Sequence, residues 1–287
     1  MTAAPPDTPA AEGACSLEVR WIFPGQLKTG VAGWFGRFPA RMEARQDSYL
    51  LNPGLRGLSV KVRAGGALEV KAYHGSPGIL DVRGRARGRM QAWQKWSFPV
   101  CPLGPGRADP AGWRPVAKKR RISRFSLAGG RVVAGAPVLA GQPACAVELT
   151  EVHMLGEAWW SLGLEATGPA GLLRGGLEAT AALVFAQATP AGVELCPDNS
   201  RSYAEWLGQR LGAVVTPAPE GRYVPPRPEM TRVLQRQGRG SMGIEAVAAR
   251  MKSTTAGLAG RVGQHDRLAG PERQDPDGPV AGRGTGG

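Results

Sequence analysis

Hydrophobic and polar residues alternate along several short segments of the chain, beginning with the stretch CSLEVRWIFP. Its odd-numbered residues from Leu17 to Phe23 are apolar, whereas Glu18 and Arg20 lie between them. This period of two predicts a half-buried strand, because successive side chains of a strand point to opposite faces. The charged face of the strand would then either meet water or line an internal space.

The same alternation predicts at least seven strands. The segment GLSVKVRAGGALEVKAY carries two alternating runs around Gly65 and Gly66, a pattern typical of a β-hairpin. Further strands are predicted at WQKWSF (Trp93 to Phe98), KKRRISRFSL (Lys118 to Leu127), ACAVELTEV and WWSLGLEA, with RVVAGAPVL as a weaker candidate.

Helical spacing of apolar residues is clearest in the segment LLRGGLEATAALVFAQ. The segment SYAEWLGQRLG predicts a second helix, with Ser202 as its N-cap. Many strands with few helices predict a β-rich α+β domain, built as an antiparallel sheet or barrel with attached helices.

The distribution of glycine and proline predicts one folded domain between two disordered terminal segments. Residues 1–14 and the Gly/Pro/Arg-rich tail, 216–287, are predicted to be largely disordered, since such compositions bury too little apolar surface to offset the entropy of ordering. Only Met242 to Lys252 predicts a helix within the tail. The folded domain is expected at residues 15–215, which is enough chain for a single core.

The N-terminal residues and the cysteines predict a cytoplasmic protein without a membrane partner. Residues 1–14 lack the basic start and the continuous apolar core of a signal peptide, and they are too polar to span a membrane. Four separated cysteines without a CxxC pair favour reduced thiols over a disulfide framework or a zinc site.

The net charge of +13 favours an anionic partner, which could be a phosphate compound, a nucleic acid or a membrane surface. Between Arg83 and Arg131, thirteen lysines and arginines stand against Asp109 alone, and the tail from Gly221 adds eleven basic and six acidic residues. The run RGRARGR within this basic segment predicts a flexible loop. Either a nucleic-acid contact or plain solvation is compatible with such a loop.

The polar faces of the predicted strands are unusual for ordinary surface. Early and middle strands contribute mainly arginine and lysine, while the first strand and the late pair contribute glutamate. If the sheet closes with these faces inward, clustered cations would require an anion in the cavity, because buried charges of one sign are costly. Carboxylates among the cations would suit Mg²⁺ or Mn²⁺ carrying phosphate oxygens. A solvated outer face is the alternative.

The order of these segments resembles the CYTH-like superfamily, the triphosphate tunnel metalloenzymes, over roughly residues 16–210. SLEVR resembles the opening ExExK strand of that family, and LSVKVR and LEVK resemble its next two basic strands. WQKWSF and KKRR are similar to the basic strands that follow, VELTEV and LGLEA to the late acidic strands, and RSYAEWL to the start of the closing helix.

This resemblance implies an eight-stranded antiparallel tunnel that binds a triphosphate group, with a glutamate-bound Mg²⁺ or Mn²⁺ polarising the terminal phosphate for attack by water. Glu18 and Glu148 would be catalytic, and Glu18, Glu148 and Glu165 would hold the metal. The implied phosphate ligands are Arg20, Lys61, Arg63, Lys71, Lys95 and one pair from KKRR, either Lys119 with Arg121 or Lys118 with Arg120.

Two departures from the family pattern weaken the implied metal site. Ser16 and Thr150 stand where the family has acids, and strict alternation puts Glu151 on the face opposite Glu148 unless a bulge intervenes. The sequence therefore predicts a protein that binds triphosphate or polyphosphate, with metal-dependent hydrolysis as a further expectation. A non-catalytic anion-binding module and a nucleic-acid-associated basic protein are the alternatives.

Overall fold

Nine strands and three α-helices make up the part of the chain that the computed structural model describes, which is residues 14–51, 57–63, 66–99, 112–127, 132–135 and 141–210. The strands are β1 Ala14–Pro24, β2 Arg41–Leu50, β3 Leu58–Arg63, β4 Ala67–Val82, β5 Ala86–Pro99, β6 Trp113–Ser126, β7 Val133–Ala134, β8 Ala144–Met154 and β9 Glu157–Thr167. The helices are α1 Thr29–Phe35, α2 Ala170–Val184 and α3 Tyr203–Arg210, with a short 3₁₀ turn at Pro197–Asn199.

Eight of these strands close into an antiparallel barrel in the order β2-β3-β4-β5-β1-β9-β8-β6. Closure is made by β6 pairing with β2, in a register that runs from Arg41 opposite Ile122 to Leu50 opposite Trp113. Strand β7 pairs with the end of β6 and is not part of the ring. The predicted β-rich α+β class is confirmed.

The main hydrophobic core lies outside the ring of strands, between the barrel wall and two helices. The apolar faces of β1, β8 and β9 pack beneath α1 and α2, with Trp21 and Leu164 on the strands and Phe35 and Leu177 on the helices all fully buried. Burying the apolar face of each strand on this side turns the opposite, charged face toward the barrel interior.

Helix α3 closes one end of the barrel. Trp206 and Leu207 pack there against Ile22, which lies on the inner side of β1. The backbone N–H of Glu205 donates to Ser202 Oγ at 3.2 Å, and the N–H of Ser202 donates to Glu205 Oε2 at 2.7 Å. This reciprocal pair is a capping box, so the predicted N-cap at Ser202 is confirmed.

Two elements were not predicted from the sequence, namely α1 and β2. The run RGRARGR, predicted as a flexible loop, instead forms a tight turn and the first residues of β5. Arg83 and Gly84 make the turn with φ of 38° and 74°, and Ala86 already pairs with Val82. Farther along this strand, the Arg89 guanidinium donates to the carbonyl of Ser200 at 2.8 Å, which ties β5 to the segment before α3.

The predicted loose ends, 1–14 and 216–287, lie outside the described residues except for Ala14, and so does the helix predicted at 242–252. Among the helices that the structure describes, none has the length and apolar character needed to cross a membrane.

Replacing Leu177 with alanine should lower the free energy of unfolding by about 2–5 kcal/mol, since it deletes a fully buried side chain under the barrel wall. Urea unfolding followed by tryptophan fluorescence measures the change. Leu172→Ala on the same helix is the matched control, because that side chain is 53% exposed and its loss should change stability by about 0.5 kcal/mol or less. Equal losses in both variants would contradict the packing of α2 on the barrel.

Candidate active site of the barrel interior

The charged faces of the strands line a cavity of about 80 Å³ inside the barrel, which we call the barrel cavity. Among the described residues, eight cationic and four anionic side chains line it, so that lysines and arginines are in excess. These are Arg20, Arg45, Lys61, Arg63, Lys71, Lys95, Lys118 and Arg120, with Glu18, Glu69, Glu148 and Glu165.

Most of the sequence-predicted site residues meet in this cavity. The structure brings together Glu18, Arg20, Lys61, Arg63, Lys71, Lys95, Glu148 and Glu165.

Lys119 and Arg121 do not line the cavity, and their expected placement there is corrected. Their neighbours Lys118 and Arg120 line it instead. The side chain of Val116 has the same strand parity as Lys118 and is buried with Trp206 at the closed end of the barrel, so it fixes which face of β6 points inward.

Strand β2 supplies inward-facing residues that the sequence prediction missed. Glu43, Arg45, Asp47 and Tyr49 occupy every second position of β2, and each makes an ion pair or hydrogen bond with a charged residue of the interior. The residues between them, Ala44, Gln46 and Ser48, are small or polar, so β2 lacks the apolar face that an alternating strand normally shows. The period-two spacing of charged and aromatic residues was the signal that could have found them.

Asp47 is the most deeply buried carboxylate of the interior, with 0% of its side chain exposed. Its oxygens lie 3.3 Å from Arg45 Nε, 3.6 Å from Lys61 Nζ and 3.3 Å from Lys118 Nζ. Burial alone would raise the pKa of Asp47, but the positive charges of Lys61, Lys118 and Arg45 outweigh it and lower the pKa. Asp47 therefore remains an anion, and it pairs with cations from three strands, β2, β3 and β6.

Lys118 contacts two tyrosines and the carboxylate of Asp47. Its ammonium donates to the Tyr49 hydroxyl at 2.5 Å and lies 4.0 Å from the centre of the Tyr203 ring. Burial lowers the pKa of Lys118 well below its usual value, and the charge of Lys61 lowers it further, while Asp47 opposes both effects. An incoming anion would stabilise the protonated form of this lysine.

Glu148 bridges two arginines at the middle of β8. Arg20 Nη2 lies 3.4 Å from Glu148 Oε2, and Arg120 donates to Oε1 of the same carboxylate. Burial alone would raise the pKa of Glu148, but Arg120 and Arg20 together lower it. Arg120 also lies 3.3 Å from Glu43, which links this cluster to β2.

Glu18 and Glu165 face each other across β1 and β9 and share one lysine. Lys71 donates to Glu18 Oε1 and, at 3.2 Å, to Glu165 Oε1, while Ser16 Oγ donates to Glu18 at 3.1 Å. Burial raises the pKa of Glu18 despite the opposing charge of Lys71. The pKa of Glu165 is lowered, because Lys71 and Lys95 outweigh its burial.

The predicted metal ligands do not form a metal site in this arrangement. Within the described ranges, no three His, Cys, Asp or Glu side chains are grouped so that they could hold a metal ion. Glu18 and Glu165 are bridged by Lys71, and Glu148 is bound by arginines. The three carboxylates therefore do not fit a shared Mg²⁺ or Mn²⁺ ion.

Neighbouring residues do not supply the acid that the resemblance implies at position 150. Thr150 is 1% exposed, and its hydroxyl has no hydrogen-bond partner among the described residues. Strand β8 pairs with β6 and β9 in unbroken register through this region, so no bulge turns Glu151 inward. The cavity consequently has fewer oxygen ligands than the resemblance implies.

Comparison with known proteins identifies no family for this chain. No family model and no curated protein matches the sequence. Among solved structures, the PH1819 protein from Pyrococcus horikoshii OT3 matches with 16% identity and a TM-score of 0.33, over 67% of this chain and 99% of that chain. A TM-score of 0.33 is too low to argue for a shared fold or function.

Replacing Asp47 with asparagine should lower the free energy of unfolding by about 3–5 kcal/mol, because three buried cations lose their shared counter-charge. Chemical denaturation at neutral pH measures the loss. The control is Asp81→Asn, which removes an ion pair with Arg87 whose two side chains are more than half exposed and which should contribute about 1 kcal/mol or less. Similar losses in the two variants would refute the central role of Asp47.

Proposed function

We propose that the barrel cavity binds a triphosphate or polyphosphate group. The observation that carries this proposal is the excess of cations in the barrel interior, where eight lysines and arginines line the cavity against four lining carboxylates and the adjoining Glu43 and Asp47. Uncompensated like charges in a confined space are costly, and a multivalent anion relieves them. A chain of phosphate groups supplies several negative charges in a narrow, extended shape.

Lys95 is the cavity cation best placed to pair with such an anion. Its ammonium has no carboxylate within 4 Å among the described residues, although it lines the cavity. It lies directly across from Lys71 in the register of β4 and β5, so the two lysines are neighbours on one face of the sheet. A phosphate oxygen beside Lys95 would supply the counter-charge that Lys71 already has in Glu18 and Glu165.

The arginines of the cavity are suited to phosphate rather than to a monovalent anion. Arg20 and Arg120 each present a planar fork of donors that can pair with two oxygens of one phosphate. In the present arrangement both are held by Glu148. We infer that a bound phosphate chain competes with Glu148 for these donors, so binding should exchange internal ion pairs for ligand contacts.

The engagement of every lining glutamate by a lysine or arginine favours a non-catalytic anion-binding module over a metal-dependent triphosphatase. Membership of the CYTH-like superfamily belongs to the same proposal, and the closed eight-stranded barrel is the architecture that this resemblance implies. Triphosphatase activity with Mg²⁺ or Mn²⁺ remains a prediction that the metal arms of the experiment test. The contacts of Arg87 and Arg89 within the protein add no support for a nucleic-acid function.

Tripolyphosphate should raise the melting temperature of the full chain in the presence of EDTA, because the proposed ligands are all lysines and arginines. Differential scanning fluorimetry measures the shift, and release of orthophosphate with added Mg²⁺ or Mn²⁺ tests hydrolysis. Orthophosphate release that EDTA abolishes would establish the triphosphatase instead of the simple binder. Absence of any shift with tripolyphosphate, with or without metal, would refute the proposed ligand.

The two faces of β6 provide a matched set of variants for the same measurement. Lys118→Ala and Arg120→Ala remove cations that line the cavity, and Lys119→Ala and Arg121→Ala remove equal charges from the opposite face. Loss of a charge-assisted hydrogen bond of about 1.5–3 kcal/mol predicts roughly a 10- to 150-fold weaker affinity for the inner variants. The outer variants should bind within about twofold of the parent protein. Equal effects on both faces would indicate nonspecific charge attraction.

Affinity for tripolyphosphate should fall as the pH rises toward 10.5. The pKa of Lys118 is lowered in the free protein, and a bound anion raises it, so binding takes up a proton wherever Lys118 starts neutral. Affinity is therefore constant below the lowered pKa and declines above it. Isothermal titration calorimetry at a series of pH values measures the decline, which should be shallower in Lys118→Arg because a guanidinium stays charged. If the affinity of Lys118→Arg declined identically with pH, the titrating group would be another residue, such as Lys61.

A further inference from the structure

Gly163 lies at the centre of the charged wall of the cavity. It occupies the inward-facing position of β9 between Ser161 and Glu165, opposite Arg20 on β1 and opposite Glu148 on β8. A glycine within a strand gives up side-chain packing and frequently marks a place where another group approaches the backbone closely. The group that approaches here is a side chain.

The guanidinium of Arg20 fills the space that a side chain at position 163 would occupy. A Cβ built on Gly163 would lie 2.8 Å from Arg20 Cζ and 2.9 Å from Arg20 Nη1, closer than such atoms approach one another in proteins. The φ of Gly163 is not in the left-handed region, so the backbone itself does not require glycine there. The requirement is for space above β9.

This space lets Arg20 reach across β9. From its origin on β1 the guanidinium lies 3.3 Å from Ser161 Oγ and 3.4 Å from Glu148 on β8, and it stacks 4.6 Å from the centre of the Tyr203 ring. One arginine thereby touches two other strands and the closing helix. A lysine needs less width at its end and has no planar fork to orient.

We infer that Gly163 is a positioning residue for Arg20, because it leaves the space in which the guanidinium lies over β9 with its two terminal nitrogens at Ser161 and Glu148. The inference rests on the proposed function, in which Arg20 contacts the phosphate chain. Arginine at position 20 and glycine at position 163 then form a functional pair, because the wide guanidinium is accommodated only where β9 has no side chain. Gly163 itself contacts no ligand.

Alanine at position 163 should displace Arg20 without unfolding the protein. The three nearest atoms to the built Cβ all belong to the end of the Arg20 side chain, which is flexible and can move. The backbone of the neighbouring strands is therefore not the obstacle. This makes a double-mutant cycle between the two positions feasible.

The test compares Gly163→Ala in the parent protein and in the Arg20→Lys variant, with affinity for tripolyphosphate measured by calorimetry in EDTA. Gly163→Ala should weaken binding about tenfold when residue 20 is arginine and less than about twofold when it is lysine, because the narrower side chain passes the new methyl group. The control is Gly175→Ala on α2, where a Cβ would meet no atom within 4 Å and affinity should not change. Equal losses in both backgrounds, or no loss in either, would overturn the positioning role.

Thermal unfolding of the same four proteins without ligand separates this inference from the proposed function. If the parent protein does not bind tripolyphosphate, the proposed function fails, and the unfolding cycle then decides the pairing by itself. A larger fall in melting temperature for Gly163→Ala with Arg20 than with lysine at that position supports the accommodation of the guanidinium. Equal falls contradict it.

Discussion

Neutralising an excess of positive charge inside a closed barrel is the constraint on which the rest of this structure depends. Eight cations line the cavity, and the carboxylates that compensate them come from different strands around the ring. Asp47, Glu69 and Glu148 each contact more than one cation, as Asp47 does with Arg45, Lys61 and Lys118. Sharing in this way reduces the cost of burial, but it leaves the network short of negative charge.

Closure of the barrel and neutralisation of its interior are achieved by the same strand. Strand β2 pairs with both β3 and β6 and so completes the ring. It also brings Glu43 and Asp47 to the side of the barrel where Lys61, Lys118 and Arg120 meet. Without these two acids Lys118 would lose its carboxylate partner, and Lys61 and Arg120 would depend on Glu69 and Glu148 alone. The strand that closes the sheet therefore also supplies part of the negative charge that closure requires.

The sequence predicted the parts of the fold that have an apolar signature. Strand β1 was found because Leu17 to Phe23 alternate cleanly, and helix α2 because its buried residues fall at helical spacing. Strand β2 was missed because neither of its faces is continuously apolar, so the hydrophobic pattern does not indicate a strand there. The residues 118–121 are all basic, so their sequence does not show which two point into the barrel. Only the burial of Val116 within the folded barrel decides which pair points inward.

The position of Lys71 explains how the interior accommodates two facing glutamates. Glu18 and Glu165 form a facing pair, and Ser16 and Thr150 at nearby inward positions add no carboxylate that could help to surround a divalent ion. The ammonium of Lys71 lies between them and supplies a single positive charge from within the chain. A lysine needs no full shell of oxygen ligands, so two carboxylates and the Ser16 hydroxyl are sufficient partners for this cluster. On the proposed function, Lys71 thereby compensates Glu18 and Glu165, and Lys95, whose ammonium has no carboxylate within 4 Å in the described part of the chain, is left to contact the phosphate chain.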